Sequence, residues 1–289
     1  MSIRPRRSAL YMPGSNARAL EKAKTLAADV VIFDLEDAVS PQQKDAARDQ
    51  ILAAVTGGGY GRREVVVRIN GLDTPWGAKD LAMAGKAGPD AILVPKVSTA
   101  AQLAEVGAAL KDAPARIAVW AMIETPLAIL NLREIAESVS DPATRLACFV
   151  MGTNDLVKET RAELDGNRTA AIYWLSAAVT AARAHGIDVL DGVFNAFKDG
   201  EGFRRECVQG RQLGMDGKTL IHPDQIAGAN EVFSPSDEDV AWARKIIAAF
   251  ELPENQGKGA ITLDGRMVEL LHAEIARRTV AIADAIAAQ

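Results

Sequence analysis

Short apolar runs recur along the chain and alternate with longer segments whose apolar residues follow a helical period. Eight runs have the length and composition of buried strands in a parallel sheet. They are residues 8–12, 30–35, 65–69, 91–95, 117–123, 146–151, 189–194 and 218–221. Their spacing is close to the ~30 residues of one strand–helix–strand unit. The pattern predicts an α/β fold, a (β/α)8 TIM barrel with a C-terminal helical extension.

Helix-start signals lie between the runs. Ser40 and Gln43 form a capping-box pattern before a helix predicted over 44–55. Pro126 marks the start of a helix predicted over 127–139. Each strand is therefore expected to be followed by a helix, as a TIM barrel requires.

The chain continues beyond the eighth unit. Residues 1–233 are predicted to form the barrel, and residues 234–289 a C-terminal extension. The extension holds one predicted helix over 236–251 and another from about Met267. Because it follows the last unit, we expect it to pack on the barrel or on a neighbouring subunit.

Composition narrows the class of protein. Hydrophobic residues make up 48% of the 289 residues and charged residues 25%, which is typical of a globular chain. The net charge of -5 and the absence of a basic stripe argue against nucleic acid as a partner. No apolar run approaches the ~18 residues of a membrane span, so we expect a cytoplasmic protein. Cys148 and Cys207 are expected to be buried free thiols.

Two apolar runs are followed by carboxylates. Glu124 is predicted to close the fifth strand, and Asp155 the sixth. The carboxyl ends of barrel strands meet at one face, where barrel enzymes keep their active sites. Two carboxylates without a His or Cys cluster suit Mg²⁺ rather than zinc. The alternative is that the two acids pair with Arg68 or Lys96 as structural ion pairs.

Further charged residues follow the second, third and fourth runs. Arg68 can pair with a buried acid, but its planar fork also fits a substrate carboxylate or a developing enolate. Glu36 and Asp37 are expected to hydrogen-bond to metal-bound water or to Arg68 rather than bind the metal. Lys96 follows the fourth run, as a Schiff-base lysine would, although no feature of the sequence indicates the lowered pKa that this chemistry needs.

Six motifs lie in order over almost the whole chain, at 7–15, 33–39, 67–70, 123–126, 152–156 and 221–223. Together they resemble the citrate lyase β-subunit-like branch of the HpcH/HpaI aldolase family, which includes malyl-CoA and citramalyl-CoA lyases. The resemblance implies a barrel that forms a homotrimer or hexamer. It also implies reversible cleavage of a 3-hydroxyacyl thioester into an acyl thioester and a 2-oxo acid.

The resemblance assigns roles to individual residues. In the family pattern, the positions of Glu124 and Asp155 bind Mg²⁺, and the position of Arg68 binds the oxo-acid part of the substrate. Further expected contacts with the substrate or CoA are Asn154, Arg7, Lys22 and His222. In related lyases, an aspartate of the C-terminal tail has been assigned as the proton donor. Glu269 stands at the matching position and is expected to act as the catalytic acid.

The function predicted from the sequence is a Mg²⁺-dependent carbon–carbon lyase for a thioester such as malyl-CoA or citramalyl-CoA. Two alternatives stay open. The first alternative is a citrate lyase β subunit that acts on a citryl-acyl-carrier-protein thioester. The second is a non-catalytic relative that binds an oxo acid. Glu269 in place of aspartate motivates the second alternative.

Overall fold

Eight parallel strands close into a barrel in a computed structural model of the chain, which describes residues 3–288. Each strand pairs with the next, and β8 pairs with β1. The strands are β1 (Ser8–Pro13), β2 (Val30–Asp34), β3 (Glu64–Arg68), β4 (Ala91–Val94), β5 (Ala118–Ile123), β6 (Leu146–Met151), β7 (Asp188–Asp191) and β8 (Gly217–Leu220). The predicted barrel is confirmed, and every predicted strand is present.

Helices follow the strands. They are α1 (Ala17–Lys22), α2 (Lys44–Gly57), α3 (Gly77–Ala87), α4 (Ala100–Ala109), α5 (Pro126–Leu130), α6 (Leu132–Glu137), α7 (Thr153–Thr160), α8 (Ile172–Ala184), α9 (Gly200–Leu213) and α10 (Gln225–Phe233). None of the described helices combines the length and apolar character needed to cross a membrane.

Two local predictions were wrong. The capping box at Ser40 does not form, because a 3₁₀ turn over Pro41–Gln43 precedes α2 and the Ser40 hydroxyl contacts the Gln43 side chain. The single helix expected over 127–139 is divided at Asn131 into α5 and α6. The Asn131 amide donates a 2.9 Å hydrogen bond to the carbonyl of Ser98, which holds the break against the preceding loop.

The barrel interior is filled by side chains from alternate strand positions, as expected when successive residues of a strand face opposite sides. It is lined by Ala9, Val30, Ile32, Val66, Ala91, Leu93, Trp120, Met122, Cys148, Val150 and Leu190, with Tyr11 packed against them. Cys148 and Cys207 are buried free thiols, as predicted.

The amino-terminal end of the barrel is closed by ion pairs. Arg6 donates two hydrogen bonds to the carboxylate of Glu64, at 2.7 and 2.8 Å, and one to Asp188 at 2.6 Å. Its guanidinium also lies 4.9 Å from the ring centroid of Trp120. Arg6 and Glu64 are buried and Asp188 is partly exposed, so the buried charges of this cluster are compensated within the protein.

The chain divides into two compact units. One is Arg6–Glu231, and the other joins Val232–Gln289 to the N-terminal segment that ends at Pro5. Met1, Ser2 and Gln289, which belong to the predicted ranges 1–233 and 234–289, lie outside the described residues. The expected packing of the extension on the barrel or on a neighbouring subunit stays a prediction.

The second unit contains a helix pair and a hairpin. Its elements are α11 (Asp237–Glu251), β9 (Ala260–Leu263), β10 (Arg266–Glu269) and α12 (Leu270–Ala287). Alanine and aliphatic side chains from all four elements form its core. The last helix begins at Leu270 rather than near Met267, because Met267 is paired with Thr262 in the hairpin.

A stability prediction follows from the packing of α4. A Cβ on Gly107 would lie 2.1 Å from the carbonyl oxygen of Ala143, whereas a Cβ on Gly57 in α2 would meet nothing within 4 Å. We expect Gly107→Ala to lower the free energy of unfolding by about 1–3 kcal/mol through overpacking. The matched variant Gly57→Ala should leave it unchanged or raise it by up to ~1 kcal/mol. Urea unfolding measures both, and equal effects would contradict the close packing at Gly107.

Candidate functional site

Glu124 and Asp155 lie at the carboxyl-terminal end of the barrel, after the neighbouring strands β5 and β6. Glu124 directly follows β5, which pairs with β6. Asp155 does not end β6, as the sequence suggested; it lies in the first turn of α7, after Met151 has ended the strand. Glu124 is only 1% exposed, and Asp155 is half-buried. The structure therefore brings the two predicted metal ligands to the same end of the barrel.

The Glu124 side chain is packed against the start of the next loop. A Cβ on Gly152 would lie 2.3 Å from the Glu124 Cβ and 2.6 Å from its Oε2, so only glycine permits this approach. On the other side, the backbone N–H of Lys96 donates a 2.8 Å hydrogen bond to Glu124 Oε1. Lys96 has a left-handed backbone with φ of 53°. The carboxylate is thus held from both sides.

The surroundings of Glu124 disfavour its ionised form. Burial and, after it, the like charge of Asp155 together raise the pKa of Glu124 to about 7, against the opposing effects of the Lys96 hydrogen bond and of Arg68. Among residues 3–288, no protein group donates a hydrogen bond to Glu124 Oε2. A divalent cation between the two acids would remove their repulsion.

The donor set fits Mg²⁺. Within the described part of the chain, no group of three or more His, Cys, Asp or Glu residues is arranged to hold a metal. Glu124 and Asp155 would therefore be the protein ligands, and water and substrate would complete the shell. Mg²⁺ is commonly bound in this way, through one or two carboxylates, whereas structural zinc requires a full set of protein ligands.

Arg68 lies beside this pair at the end of β3, in a cluster of acids. Its Nε and Nη2 donate hydrogen bonds of 2.7 Å to the two oxygens of Asp34. Burial opposes ionisation of Asp34, but the charge and hydrogen bonds of Arg68 hold its pKa below the usual value. Arg68 therefore makes its bidentate contact with Asp34 and not, as the sequence suggested, with a substrate, and only Nη1 is available to other groups.

Glu36 and Asp37 approach Arg68 from the loop after β2. Glu36 Oε2 lies 2.8 Å from Arg68 Nη1, and Asp37 Oδ2 lies 3.6 Å from it. The Glu36 contact is close but poorly aligned, since buried Oε2 has no hydrogen-bond partner within residues 3–288. Burial raises the pKa of Glu36 to about 8, despite Arg68. The expected contact of these acids with Arg68 is present.

Sequence reasoning missed two supporting residues. Lys44, which reads as an exposed helix start, is buried and donates 2.7 Å hydrogen bonds to the carbonyls of Leu35 and Glu36. Tyr11, which reads as one more apolar strand residue, places its ring 4.8 Å from the guanidinium carbon of Arg68. Tyr11 reaches the cluster only when the barrel closes, whereas Lys44 reaches it when the start of α2 folds back on the loop after β2.

Lys96 does not have the electrostatics of a Schiff-base lysine. Burial lowers its pKa, but the charges of Glu36, Asp155 and Glu124 outweigh burial and raise it overall. An amine that attacks a carbonyl needs a lowered pKa. Lys96 is instead a cation beside the carboxylates.

Of the other residues predicted to contact the substrate or CoA, Asn154 and His222 lie at the carboxyl-terminal end of the barrel. Asn154 exchanges hydrogen bonds with Asn195 at the carboxyl-terminal end. His222 follows β8 at that end, and its ring stacks on Phe197 with centroids 4.6 Å apart. Lys22 is exposed at the end of α1.

Arg7 is not part of this site. It precedes β1, and in a parallel barrel that position lies at the amino-terminal end. Its Nε and Nη2 donate hydrogen bonds of 2.8 and 2.7 Å to Asp29, which precedes β2. The structure therefore places Arg7 at the end opposite Glu124, and the expected substrate contact has no geometric support.

Glu269 belongs to the second unit. It ends β10 and precedes α12, and its backbone N–H donates a 2.9 Å hydrogen bond to His272 Nδ1. Its side chain is half-buried. Its role as catalytic acid stays a prediction.

The family model described as HpcH/HpaI aldolase/citrate lyase matches residues 7–223. The chain belongs to this family. The match covers the barrel strands and the motifs from which the resemblance was inferred, so the family predicted from the sequence is confirmed.

Relatives in the family are similar over nearly their whole length. The chain is 50% identical over 284 residues to a (3S)-malyl-CoA thioesterase of Cereibacter sphaeroides (strain ATCC 17025 / ATH 2.4.3), covering 98% of this chain and 96% of the relative. It is 37% identical to an L-malyl-CoA/beta-methylmalyl-CoA lyase of Cereibacter sphaeroides (strain ATCC 17029 / ATH 2.4.9), covering 99% and 96%. It is 36% identical to the citrate lyase subunit beta of Leuconostoc mesenteroides subsp. cremoris, covering 98% and 94%.

A solved family member has the same fold. CitE from Mycobacterium tuberculosis, in complex with magnesium, acetoacetate and coenzyme A, matches with a TM-score of 0.74 at 32% identity, covering 96% of this chain and 97% of CitE. The family thus contains barrel proteins crystallised with magnesium.

The raised pKa of Glu124 generates a prediction about stability. Folding raises this pKa from 4.5 to about 7, so the folded state holds the proton more tightly, and stability falls as the pH rises from 4.5 to about 7 and stays lower above it. Glu124→Gln removes the charge and keeps an oxygen for the Lys96 N–H. We expect it to stabilise the metal-free protein at pH 8, by an amount on the order of 2 kcal/mol, and by less at pH 5.

Urea unfolding at both pH values, in the presence of a chelator, measures this difference. Glu105→Gln on the exposed face of α4 is the control and should have little effect at either pH. If Glu124→Gln gave the same change at pH 5 and pH 8, burial of an ionised Glu124 would not be the cause.

Proposed function

We propose that this chain is a Mg²⁺-dependent enzyme that acts on a malyl-type CoA thioester. The observation that carries the proposal is the buried Glu124 beside Asp155, two acids that a divalent cation would allow to be ionised together. Relatives at 50% and 37% identity are named for malyl-CoA, and CitE was crystallised with magnesium and coenzyme A. These relatives support the proposal because the site residues lie within the matched region.

Each group at the site has a proposed role. Glu124 and Asp155 hold Mg²⁺, and Glu36 and Asp37 accept hydrogen bonds from its water ligands or from Arg68. When bound, Mg²⁺ supplies positive charge that polarises the hydroxyl and carboxylate oxygens of the malyl group. Arg68, fixed by Asp34, directs Nη1 toward the ligand and stabilises negative charge that develops on its oxygens.

Hydrolysis of the thioester is the net reaction that we favour. Water adds to the thioester carbonyl, the carbon–sulfur bond breaks, and the products are malate and CoA with a free thiol. The observation in its favour is the higher similarity to the thioesterase, 50% against 37% for the lyase, over almost the same length of chain. Arg68 and the two metal ligands would bind the malyl group in this reaction.

Carbon–carbon cleavage is the second candidate, and it is the reaction that the sequence predicts. The 3-hydroxyl loses its proton, the bond to the carbon beside the thioester breaks, and acetyl-CoA and glyoxylate form after that carbon is protonated. The lyase at 37% identity favours it. The citrate lyase subunit beta at 36% identity keeps a citryl-acyl-carrier-protein substrate as a third candidate.

The remaining residues and the assembly complete the proposal. Asn154 and His222, at the carboxyl-terminal end of the barrel, are proposed to contact the substrate or CoA, and Lys22 the CoA phosphates. A homotrimer or hexamer is the proposed assembly, which light scattering of the purified protein would test.

The products decide between the reactions. Purified protein with Mg²⁺ and (3S)-malyl-CoA should release free thiol without a 2-oxo acid if it is a thioesterase, and glyoxylate without free thiol if it is a lyase. We expect Glu124→Gln and Asp155→Asn each to lower kcat/KM by ~100-fold or more, since the metal contributes several kcal/mol to such reactions. Glu105→Gln is the surface control.

Other outcomes would overturn parts of the proposal. Full activity in the presence of a chelator would remove Mg²⁺ from it. Turnover of citryl-acyl-carrier-protein alone would establish the citrate lyase reading. Binding of an oxo acid without any product would establish a non-catalytic relative.

Glu269 is proposed to be the acid that moves the proton at the thioester end of the substrate. We expect Glu269→Gln to lower kcat by ~100-fold or more, as for other general acids, with Mg²⁺ affinity unchanged. Glu269→Asp keeps the acid and should retain far more activity than the amide. Calorimetric Mg²⁺ binding and steady-state kinetics provide the two readouts, and an unchanged kcat in Glu269→Gln would exclude the residue from the mechanism.

A further inference from the structure

Tyr11 lies inside the barrel at the candidate site. It is on β1, packs against the interior side chains, and places its ring 4.8 Å from the guanidinium carbon of Arg68. The charges of Arg68, Asp34, Glu124 and Glu36 all act on its hydroxyl. Tyr11 therefore belongs to the same electrostatic cluster as Arg68 and Glu124, which the sequence identified.

The hydroxyl of Tyr11 is buried and has no hydrogen-bond partner among residues 3–288. Such a group costs free energy unless something satisfies it, so each one requires an explanation. Glu36 Oε2 is a second buried atom without a hydrogen bond, although it forms an ion pair with Arg68 Nη1 at 2.8 Å. A polar ligand beside Arg68 would give the Tyr11 hydroxyl the partner that the protein does not supply.

The other buried tyrosine is satisfied by the protein. Tyr60 donates its hydroxyl proton to the carbonyl of Leu20 at 3.3 Å and packs its ring on Phe33. Burial also keeps the pKa of Tyr11 above its ordinary value, so the hydroxyl retains its proton at neutral pH. Tyr11 thus presents a hydrogen-bond donor, next to the positive charge of Arg68.

We propose that the Tyr11 hydroxyl binds the substrate by donating a hydrogen bond to a carboxylate or carbonyl oxygen held beside Arg68 Nη1. A neutral donor next to a guanidinium selects an oxygen that carries negative charge, as in a 2-hydroxy or 2-oxo carboxylate. This inference rests on the proposed function, because it takes the ligand to be the substrate of the Glu124 and Asp155 site. Tyr11 becomes a specificity-determining residue of that site.

The test is Tyr11→Phe, which removes one oxygen and keeps the ring against Arg68. We expect KM for malyl-CoA, and the calorimetric Kd for L-malate with Mg²⁺, to rise roughly 10- to 100-fold, the effect of one hydrogen bond to a charged group. The melting temperature should stay the same or rise, because no hydrogen bond within the protein is lost.

Tyr60→Phe is the matched control, and we expect it to change stability but not ligand binding, the opposite of Tyr11→Phe. It removes the hydrogen bond to Leu20 and should lower the melting temperature, with KM and Kd unchanged. A purely structural role for Tyr11 predicts that both variants affect stability and leave ligand binding unchanged.

The two readouts separate this inference from the proposed function. Weaker L-malate binding in Tyr11→Phe supports the inference even if wild type turns over no thioester, a result that would overturn only the proposed reactions. Equal L-malate affinity in wild type and Tyr11→Phe overturns the inference even if malyl-CoA is a substrate. Wild type that binds no 2-hydroxy or 2-oxo acid overturns both.

Discussion

Charge buried inside the barrel has to be compensated, because an ionised side chain loses several kcal/mol of hydration when it leaves water. At the amino-terminal end this condition is met within the protein, where Arg6 is shared by Glu64 and Asp188 and Arg7 is held by Asp29. At the carboxyl-terminal end it is only partly met. Asp34 is neutralised by Arg68, but the pKa values of Glu36 and Glu124 are raised to about 8 and about 7. This asymmetry is the physical reason for proposing the carboxyl-terminal end as the functional end.

A third charged cluster shows what complete compensation looks like. Lys218 and Arg168 both bind Asp191 beneath the helices, and Glu206 contacts the pair from α9. Their hydrogen bonds hold the pKa of Asp191 below its usual value in spite of complete burial. Such a network ties β7 and β8 to the helices and leaves nothing for a ligand. The Glu124 cluster differs because it has more acid than base and atoms without partners.

The sequence was sufficient to identify candidate site residues that lie at the end of a strand. Glu124 and Arg68 were identified because a charge at the end of a buried strand must lie at the carboxyl-terminal face of a barrel. The same rule, applied to Arg7, places it at the opposite end, where the structure has it; the resemblance to the family had suggested otherwise. Asp155 was assigned to the correct end but to a strand instead of a helix turn, because the Gly152 loop is too short to register as a break.

What the sequence could not supply is contact between distant residues. Tyr11 and Lys44 have ordinary local explanations, one as an apolar strand residue and one as a polar helix residue. Tyr11 reaches the cluster only after β1, β2 and β3 become neighbours in the barrel, and Lys44 reaches it only after the start of α2 folds back on the loop after β2. The unpaired state of the Tyr11 hydroxyl is likewise a property of the packed interior. Burial and hydrogen-bond partners are results of folding, and no spacing along the chain encodes them.

The two proposed reactions share one binding mode for the malyl group, so the metal ligands Glu124 and Asp155 do not determine which reaction takes place. Both hydrolysis and carbon–carbon cleavage begin with the hydroxyl and carboxylate of a malyl group beside Arg68, Glu124 and Asp155. They differ at the thioester, where one reaction adds water to the carbonyl and the other protonates the adjacent carbon. In the proposed function, the cluster at the barrel end selects the acid, and the choice of bond to break depends on groups that reach the thioester. This division explains how relatives named for thioesterase and lyase activities can share one barrel and one family pattern.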